Sequence, residues 1–250
     1  MGKKLLDESG FETKHNVNER IYNKKKSELL KGKDTEYALS ISNVLTSRQV
    51  FARNLARTKL FEMSLNVPGC VVECGSHRGN GLGLYYNLSS TLEPTNFNRK
   101  IISFDTYEGF PSTSKKDLDF AKKGQMSDVD FGFLKEAIEI NELNRINGHI
   151  EKLIFVKGDA NKTIPKFVKE NPWLLVSLLY IDFDLYEPTI TVLKHLLPLV
   201  PKGGVVAFDE LAKKRWEGET AAFKELLDAN KIKLQRFSFE PGISYFIMGE

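Results

Sequence analysis

Two pairs of carboxylates stand directly after apolar runs in the second half of the chain. Asp182 and Asp184 end the run that begins at Leu174, and Asp209 and Glu210 follow the run at 205–208. Residues two apart on a strand share a face, so an extended backbone would direct both aspartates to the same side. Ligands of open α/β sheets bind at the carboxyl ends of the strands. Four carboxylates at two strand ends therefore predict a metal site there.

Each of these carboxylates also has a structural interpretation. Asp209 and Glu210 could cap a following helix, and Asp184 could pair with a Lys or Arg at the surface. The coincidence of four carboxylates at two strand ends, beside a predicted nucleoside site, favours the functional interpretation.

The composition is that of an ordinary globular protein. The 250 residues are 41% hydrophobic and 28% charged, with a formal net charge of +3, which fits one large α/β domain with an appendage and gives no indication of nucleic-acid binding. Short basic runs at 24–26 and 213–215 could meet phosphates but are typical of solvated faces. No apolar stretch approaches a membrane span, and the first residues lack the apolar core of a secretory signal. We therefore expect a cytoplasmic protein with no membrane partner.

The two cysteines, Cys70 and Cys74, lie in one predicted strand. Their spacing separates the Cα atoms by roughly 13 Å, which is too far for a disulfide. We expect both to be buried free thiols.

The first 66 residues are predicted to form an N-terminal extension. Residues 1–34 are polar and indicate an arm or a short helix, whereas apolar residues at mostly helical intervals over 35–65 indicate one or two amphipathic helices. These helices could cover a sheet edge, form a lid or pack against a second subunit. Residues 67–250 would form the main domain.

A glycine-rich turn follows the first predicted strand, residues 70–74, and leads into a helical stretch at 82–92. The glycines are Gly75, Gly79 and Gly81. Such a corner binds nucleotides, because glycines let the backbone approach a ligand and the helix amino terminus offers free N–H groups. His77 occupies the second glycine position of the G-x-G-x-x-G motif, so the spacing disfavours a nicotinamide oxidoreductase.

Acidic residues also follow the next two predicted strands. Asp105 comes after the strand at 100–104, where a carboxylate can accept both ribose hydroxyls of a nucleoside. Asp159 comes after the strand at 153–156 and could simply cap the helix predicted over 161–169. Between these strands, the polar connection 112–131 is long enough to be an active-site loop.

The remaining elements alternate and then close in a hairpin. Helices are predicted over 133–147, from Pro188 to Leu197, and over 217–229. The last two strands, 234–239 and 244–248, would be joined by a turn at 240–243. This order predicts a mostly parallel sheet with an antiparallel end strand.

These motifs resemble those of class I S-adenosylmethionine-dependent methyltransferases, which place an acidic residue such as Glu73 before widely spaced glycines. Over roughly residues 46–223 the chain more closely resembles the macrocin O-methyltransferase family. The matching segments are 67–69, 72–75, 104–111, 158–159, 181–189, 203–204 and Asp209. The most specific part is the Asp-x-Asp-x-Tyr run together with the later acidic pair.

The resemblance implies a class I methyltransferase fold of the α/β class. Such a fold has a Rossmann-like, mostly parallel seven-stranded sheet with an antiparallel last strand and helices on both faces, here with an N-terminal helical extension. It also implies S-adenosyl-L-methionine as cofactor, with Asp159 bonding the adenine amino group. The cofactor-binding residues it implies are Glu73, Gly75, Ser76, Gly79, Gly81, Asp105, Thr106, Asp159, Ala160 and Asp182.

The resemblance further assigns roles to the acidic residues. Asp182, Asp209 and Glu210 would bind Mg²⁺, and Asp184 would be the general base; the family often has Asp-Asp where this chain has Asp209-Glu210. A sugar hydroxyl is too weak an acid for a carboxylate of ordinary pKa to deprotonate readily. A Lewis-acidic Mg²⁺ would polarise and orient that hydroxyl.

The sequence therefore predicts an S-adenosylmethionine- and Mg²⁺-dependent O-methyltransferase acting on a sugar hydroxyl, nucleotide-linked or in a glycoside, and the resemblance favours a homo-oligomer. Two alternatives remain: a metal-dependent methyltransferase of a catechol or other small phenol, and a noncatalytic nucleoside-binding scaffold. His77 could touch the cofactor or be an ordinary loop residue. Trp216 and residues 217–219 could shape the acceptor pocket.

Overall fold

The computed structural model describes residues 14–118 and 121–250. The first thirteen residues of the predicted arm and residues 119–120 of the predicted active-site loop lie outside the described residues. The chain divides into two compact units, one ending at Phe51 and the other running from Ala52 to Glu250.

The first unit is helical. Helix α1 is Lys14–Leu30, α2 is Thr35–Ser40, α3 is Ser42–Leu45, and α4, Arg48–Ser64, begins in this unit and continues into the second. The pattern over 35–65 predicts one or two helices, and the region holds three. Ile41 has non-helical φ/ψ between α2 and α3, and Thr46 is extended between α3 and α4.

In the described part of the second unit, seven strands form one sheet in the order β3-β2-β1-β4-β5-β7-β6. The strands are β1 Cys70–Cys74, β2 Ile101–Asp105, β3 Leu153–Lys157, β4 Val176–Ile181, β5 Val205–Phe208, β6 Gln235–Phe237 and β7 Glu240–Ile247. The first five strands pair in parallel, and β7 runs antiparallel to both β5 and β6. The predicted mostly parallel sheet with an antiparallel last strand is confirmed.

Helices cover both faces of the sheet, as predicted. They are α5 Asn80–Leu92, α6 Phe131–Glu142, α7 Ala160–Glu170, α8 Tyr186–His195 and α9 Glu217–Leu226. Successive strand residues point to opposite faces, so Leu179 and Val206 pack with α7, α8 and α9, whereas Leu178 and Val205 pack with α5 and the buried side of α4. The buried free thiols Cys70 and Cys74 are also confirmed. None of the helices among the described residues is long and apolar enough to cross a membrane.

The predicted boundaries of the hairpin turn and of helix α6 were wrong. The hairpin turn lies at 238–239 rather than 240–243, because the β6–β7 ladder shifts register after Arg236 and thereby accommodates Pro241 and Gly242 inside β7. Helix α6 begins at Phe131, where Asp130 accepts a hydrogen bond from Phe133 N at 3.0 Å. It ends at Glu142, before Asn147, whose φ is +62°.

Candidate active site

A cavity of about 270 Å³ opens at the carboxyl ends of β1, β2, β4 and β5. Nine of the predicted site residues line it: Gly75, Asp105, Thr106, Asp159, Ala160, Asp182, Asp184, Asp209 and Glu210. Four do not line it, namely Glu73, Ser76, Gly79 and Gly81. The structure therefore brings together the predicted acidic cluster and most of the predicted nucleoside site.

Gly75 holds the glycine loop directly against the segment that follows β4. Its φ is +89°, a left-handed conformation that side chains disfavour, and a Cβ at this position would overlap the carbonyl oxygen of Asp182. Asp182 directly follows β4, and its backbone N–H donates to the carbonyl oxygen of Cys74, the last residue of β1, at 2.8 Å. The cofactor loop and the first aspartate of the acidic cluster are therefore in backbone contact.

Glu73 lies beneath the glycine loop rather than in the cavity. It is 1% exposed, and its Oε1 forms an ion pair with Nη1 of Arg57, a buried residue of α4. The Arg57 guanidinium also lies 3.9 Å from the centre of the Tyr180 ring, a cation–π distance, and Nη2 contacts Asp182 Oδ2 at 3.2 Å. One buried cation thus joins the acidic residue of the glycine motif to the first aspartate after β4.

We expect Gly81→Ala to disrupt this junction. A Cβ at Gly81 would overlap Nη1 of Arg57 and Oε1 of Glu73, both of which are buried and cannot move into solvent. The affinity for S-adenosylmethionine should fall by about tenfold or more, since a clash costing about 1–3 kcal/mol would act on the loop itself. Isothermal titration measures this loss. Gly83→Ala is the matched control, because it lies on the same helix with open space around its Cβ and should bind as tightly as the wild type.

Asp105 lies at the end of β2 and on the cavity wall. Its Oδ2 accepts from His77 N at 2.8 Å, and its Oδ1 accepts from Tyr107 N at 2.7 Å. Each carboxylate oxygen has a second lone pair, so both can still accept from a ligand hydroxyl. Burial raises the pKa of Asp105 although these backbone donors lower it.

Asp159 has the capping role that was one of its two interpretations. It is the N-cap of α7, with Oδ1 accepting from Asn161 N at 3.0 Å, and it also lines the cavity. His77, the other ambiguous residue of the cofactor side, lines the cavity while its Nε2 lies 2.7 Å from Oδ1 of Asp128 in the loop before α6.

The position of Asp184 does not follow from strand alternation, which was the predicted reason for its place beside Asp182. Strand β4 ends at Ile181, and Asp184 has a φ of +62°, so the backbone between the aspartates is not extended. Left-handed backbone at a residue other than glycine is uncommon and clusters at functional sites. Asp182 and Asp184 therefore line one cavity without lying together on one strand.

Three of the four carboxylates are ion-paired: Arg57 with Asp182 at 3.2 Å, Arg53 with Asp209 at 3.1 Å, and Lys213 with Glu210 at 3.1 Å. Tyr180 also donates to Asp209 Oδ1 at 2.5 Å. Among the described residues, the carboxylate of Asp184 has no ion-pair partner within 4.0 Å. Within the part of the chain that the structure describes, Asp184 is therefore the member of the cluster without an ion-pair partner.

Burial and mutual repulsion shift the pKa values of the cluster. Burial and then the charge of Asp209 raise the pKa of Asp184 to about 7 and that of Asp182 well above its ordinary value. Burial also raises the pKa of Glu210 to about 8, against the effect of Lys213.

Asp209 differs from the other three carboxylates. Burial raises its pKa, but the charges of Arg53, Lys213 and Arg57 outweigh burial and leave the pKa below its ordinary value. Asp209 is thus ionised next to carboxylates that tend to hold a proton.

The basic partners of the cluster could not be found from the sequence. Arg53 and Arg57 are four residues apart in α4, which puts both on one helix face, but nothing local indicates that this face meets the acidic cluster. Lys213 belongs to the run that is typical of a solvated face, yet it is 20% exposed and contacts Glu210. Trp216 lines the cavity with Phe110, at 6.2 Å between ring centres, where a role in the acceptor pocket was predicted.

The donor chemistry of Asp182, Asp209 and Glu210 fits Mg²⁺, since all three supply hard oxygens at adjacent strand ends. Asp209 Oδ2 and Glu210 Oε2 are buried and accept no hydrogen bond from the described residues, although Arg53 and Lys213 lie at ion-pair distance. The Asp209 carboxylate faces Arg53, and the Glu210 carboxylate faces Lys213. No three His, Cys, Asp or Glu side chains in the described part of the chain converge as metal ligands.

The strand order, with β7 antiparallel and a glycine turn after the first strand facing a carboxylate cluster, defines a class I methyltransferase. A family model described as macrocin O-methyltransferase matches residues 9–238. The protein therefore belongs to the macrocin O-methyltransferase family and is an O-methyltransferase.

Solved structures agree with this assignment. The chain is similar to CalS11, described as a calicheamicin methyltransferase, with 29% identity, a TM-score of 0.90 and complete coverage of both chains. A structure of CalS11 described as a TDP-rhamnose 3'-O-methyltransferase is 30% identical with a TM-score of 0.81, covering 96% of this chain and 97% of that one. NovP, an O-methyltransferase, shares the fold at 20% identity and a TM-score of 0.62, with 81% and 83% coverage. Comparison with curated protein sequences gives no match.

Proposed function

We propose that the protein transfers the methyl group of S-adenosyl-L-methionine to a sugar hydroxyl, nucleotide-linked or in a glycoside, with Mg²⁺ bound and Asp184 as general base. The observation that carries the proposal is a difference in ion pairing among the four carboxylates. Asp182, Asp209 and Glu210 each face a cation, whereas Asp184 lines the same cavity without one among the described residues. The similarity to a TDP-rhamnose 3'-O-methyltransferase supports a sugar acceptor.

In this proposal each residue has a defined task. Asp105 would hold the ribose hydroxyls of the cofactor, Asp159 its adenine amino group, and the loop at Gly75 its amino-acid end. Asp184 accepts the hydroxyl proton while the acceptor oxygen bonds to the methyl carbon and the electron pair of the carbon–sulfur bond stays on sulfur. S-adenosylmethionine supplies the activated methyl group, and Mg²⁺ on Asp182, Asp209 and Glu210 would polarise the hydroxyl.

Binding and substrate assays test the proposal. Isothermal titration should detect S-adenosylmethionine at micromolar concentration, and a panel of nucleotide sugars, glycosides, catechols and simple phenols should give methyl transfer to a sugar. No binding of the cofactor would contradict the nucleoside site. Transfer to catechol alone would favour the phenol methyltransferase, which is the alternative enzyme that the sequence leaves open.

Metal removal is a separate prediction. Dialysis against EDTA should reduce methyl transfer by at least about 10²-fold, because a Lewis acid at this position contributes several kcal/mol of charge stabilisation. Added Mg²⁺ should restore the rate, while added Na⁺ at equal ionic strength should not. Full activity in EDTA would remove the metal from the proposal but would leave the base and the cofactor site intact.

The remaining features are also proposals. The extension at 1–66 would act as a lid or as a surface for homo-oligomers, with residues 67–250 as the catalytic domain. Light scattering on the full chain measures the subunit count.

A further inference from the structure

Glu219 is a fifth carboxylate, placed beneath the acidic cluster. It is the third residue of α9, it is completely buried, and it does not line the cavity. Its Oε1 accepts from the backbone N–H of Asp184 at 3.2 Å, and its Oε2 accepts from the backbone N–H of Glu210 at 3.1 Å. One side chain thus joins the segment after β4 to the segment after β5.

Burying a carboxylate is costly unless hydrogen bonds or a cation compensate. Within the described residues Glu219 has no ion-pair partner within 4.0 Å. Its two hydrogen bonds are both to backbone donors of segments that carry predicted catalytic and metal-binding residues. A carboxylate suits this position because each oxygen faces a donor and neither needs to donate.

The start of α9 is packed to bring Glu219 there. A Cβ at the preceding Gly218 would lie 2.8 Å from Asp184 O and 2.5 Å from Tyr186 N, so the helix touches that backbone directly. On the other side, Thr220 Oγ1 accepts from Ala212 N at 2.9 Å. The first turn of α9 therefore contacts both segments at several atoms, and Glu219 is the residue that contacts both.

The backbone of Asp184 needs such support. A left-handed conformation at a residue other than glycine is uncommon and persists where the surroundings fix it. A hydrogen bond from the N–H of Asp184 itself to Glu219 is positioned to hold this conformation.

We infer that Glu219 is a positioning residue that sets the Asp184 carboxylate relative to Glu210, and so relative to the acceptor hydroxyl. The inference rests on the proposed function, because it takes Asp184 as the base. Glu219 itself touches neither the cavity nor the reacting atoms.

Glu219→Gln tests the inference with almost no change in shape. The Gln side chain offers one acceptor oxygen and one NH₂ group, so one of the two backbone donors would face another donor. We expect kcat to fall by about 10²-fold, the effect of misplacing a reacting group by about 1 Å. The Kd for S-adenosylmethionine should stay within about threefold, a difference of under about 1 kcal/mol, because the glycine loop is untouched.

The matched control is Glu139→Gln, the same change at an exposed position of α6 that does not line the cavity. Its kcat and Kd should equal those of the wild type. Hydrogen exchange adds a readout that does not depend on catalysis: the amides of residues 184 and 210 should exchange at least about tenfold faster in Glu219→Gln and at the wild-type rate in the control.

Glu219→Asp covers the case in which Glu219→Gln does not fold. It keeps the carboxyl group but is one methylene too short to reach both donors, and it should show the same loss of kcat at unchanged Kd. A wild-type kcat in either folded variant would overturn the inference. Loss of both cofactor binding and folding in the two variants would also overturn it. If the wild-type protein methylates no sugar, the proposed function fails, and unprotected amides in the variants would still establish the link through Glu219.

Discussion

Asp184→Asn is expected to lower kcat by about 10²–10⁴-fold, the usual contribution of a positioned general base. Asn keeps the shape of the side chain and tolerates the φ of +62°, so the backbone should not change, but the amide cannot accept the hydroxyl proton. The affinity for S-adenosylmethionine should be unchanged. Initial rates at saturating substrate, together with isothermal titration, separate the two effects.

The matched control for Asp184→Asn is Asp228→Asn, the same substitution at an exposed aspartate that pairs with Lys231 beyond the end of α9. Its kcat should equal that of the wild type. A base is expected to contribute at least about 10²-fold to kcat. If Asp184→Asn retained more than about a tenth of the wild-type kcat, the loss would be too small for a base, and proton transfer would have to be assigned to another residue.

Arg57→Met is expected to destabilise the fold by about 3–5 kcal/mol, because it leaves the buried Glu73 without its cation. The loss also removes the contacts of the guanidinium with Asp182 and with the Tyr180 ring. Urea unfolding measures the change in free energy. Arg48→Met, at an exposed position of the same helix, should stay within about 0.5 kcal/mol of the wild type.

A double substitution tests the cause of that destabilisation. Glu73→Gln in the Arg57→Met background removes the unpaired charge and should recover part of the lost stability, so the two changes should not be additive. Additive effects would indicate that Arg57 stabilises the protein mainly through packing on Tyr180 and Tyr85.

The sheet and the positions of the acidic residues can be predicted from the sequence because their signals are local. Apolar runs and glycines mark where strands end, and the carboxyl ends of parallel strands meet at one edge. This rule alone predicts that Asp105, Asp182 and Asp209 lie near one another, and all three line the same cavity. Features that depend on a few residues around a strand end are therefore accessible to sequence reasoning.

The remaining features depend on residues that are distant in sequence. Arg57 meets Glu73 and Asp182, which lie 16 and 125 residues away, so no spacing rule reveals the contact. The role of Glu219 has no sequence signal, because its partners are backbone N–H groups that every residue except proline carries. The left-handed φ of Asp184 is hidden as well, because alternation along a strand presupposes an extended backbone.

The close contact of Gly75 with the carbonyl oxygen of Asp182 indicates which positions of this enzyme can be substituted and which should be kept. The glycine loop and the acidic cluster touch through their backbones at this edge of the sheet, so a substitution in one is expected to disturb the other. Phe110 and Trp216 reach the cavity from segments outside that edge. Libraries aimed at new acceptors should therefore diversify these two aromatic positions and leave the residues around Gly75 fixed.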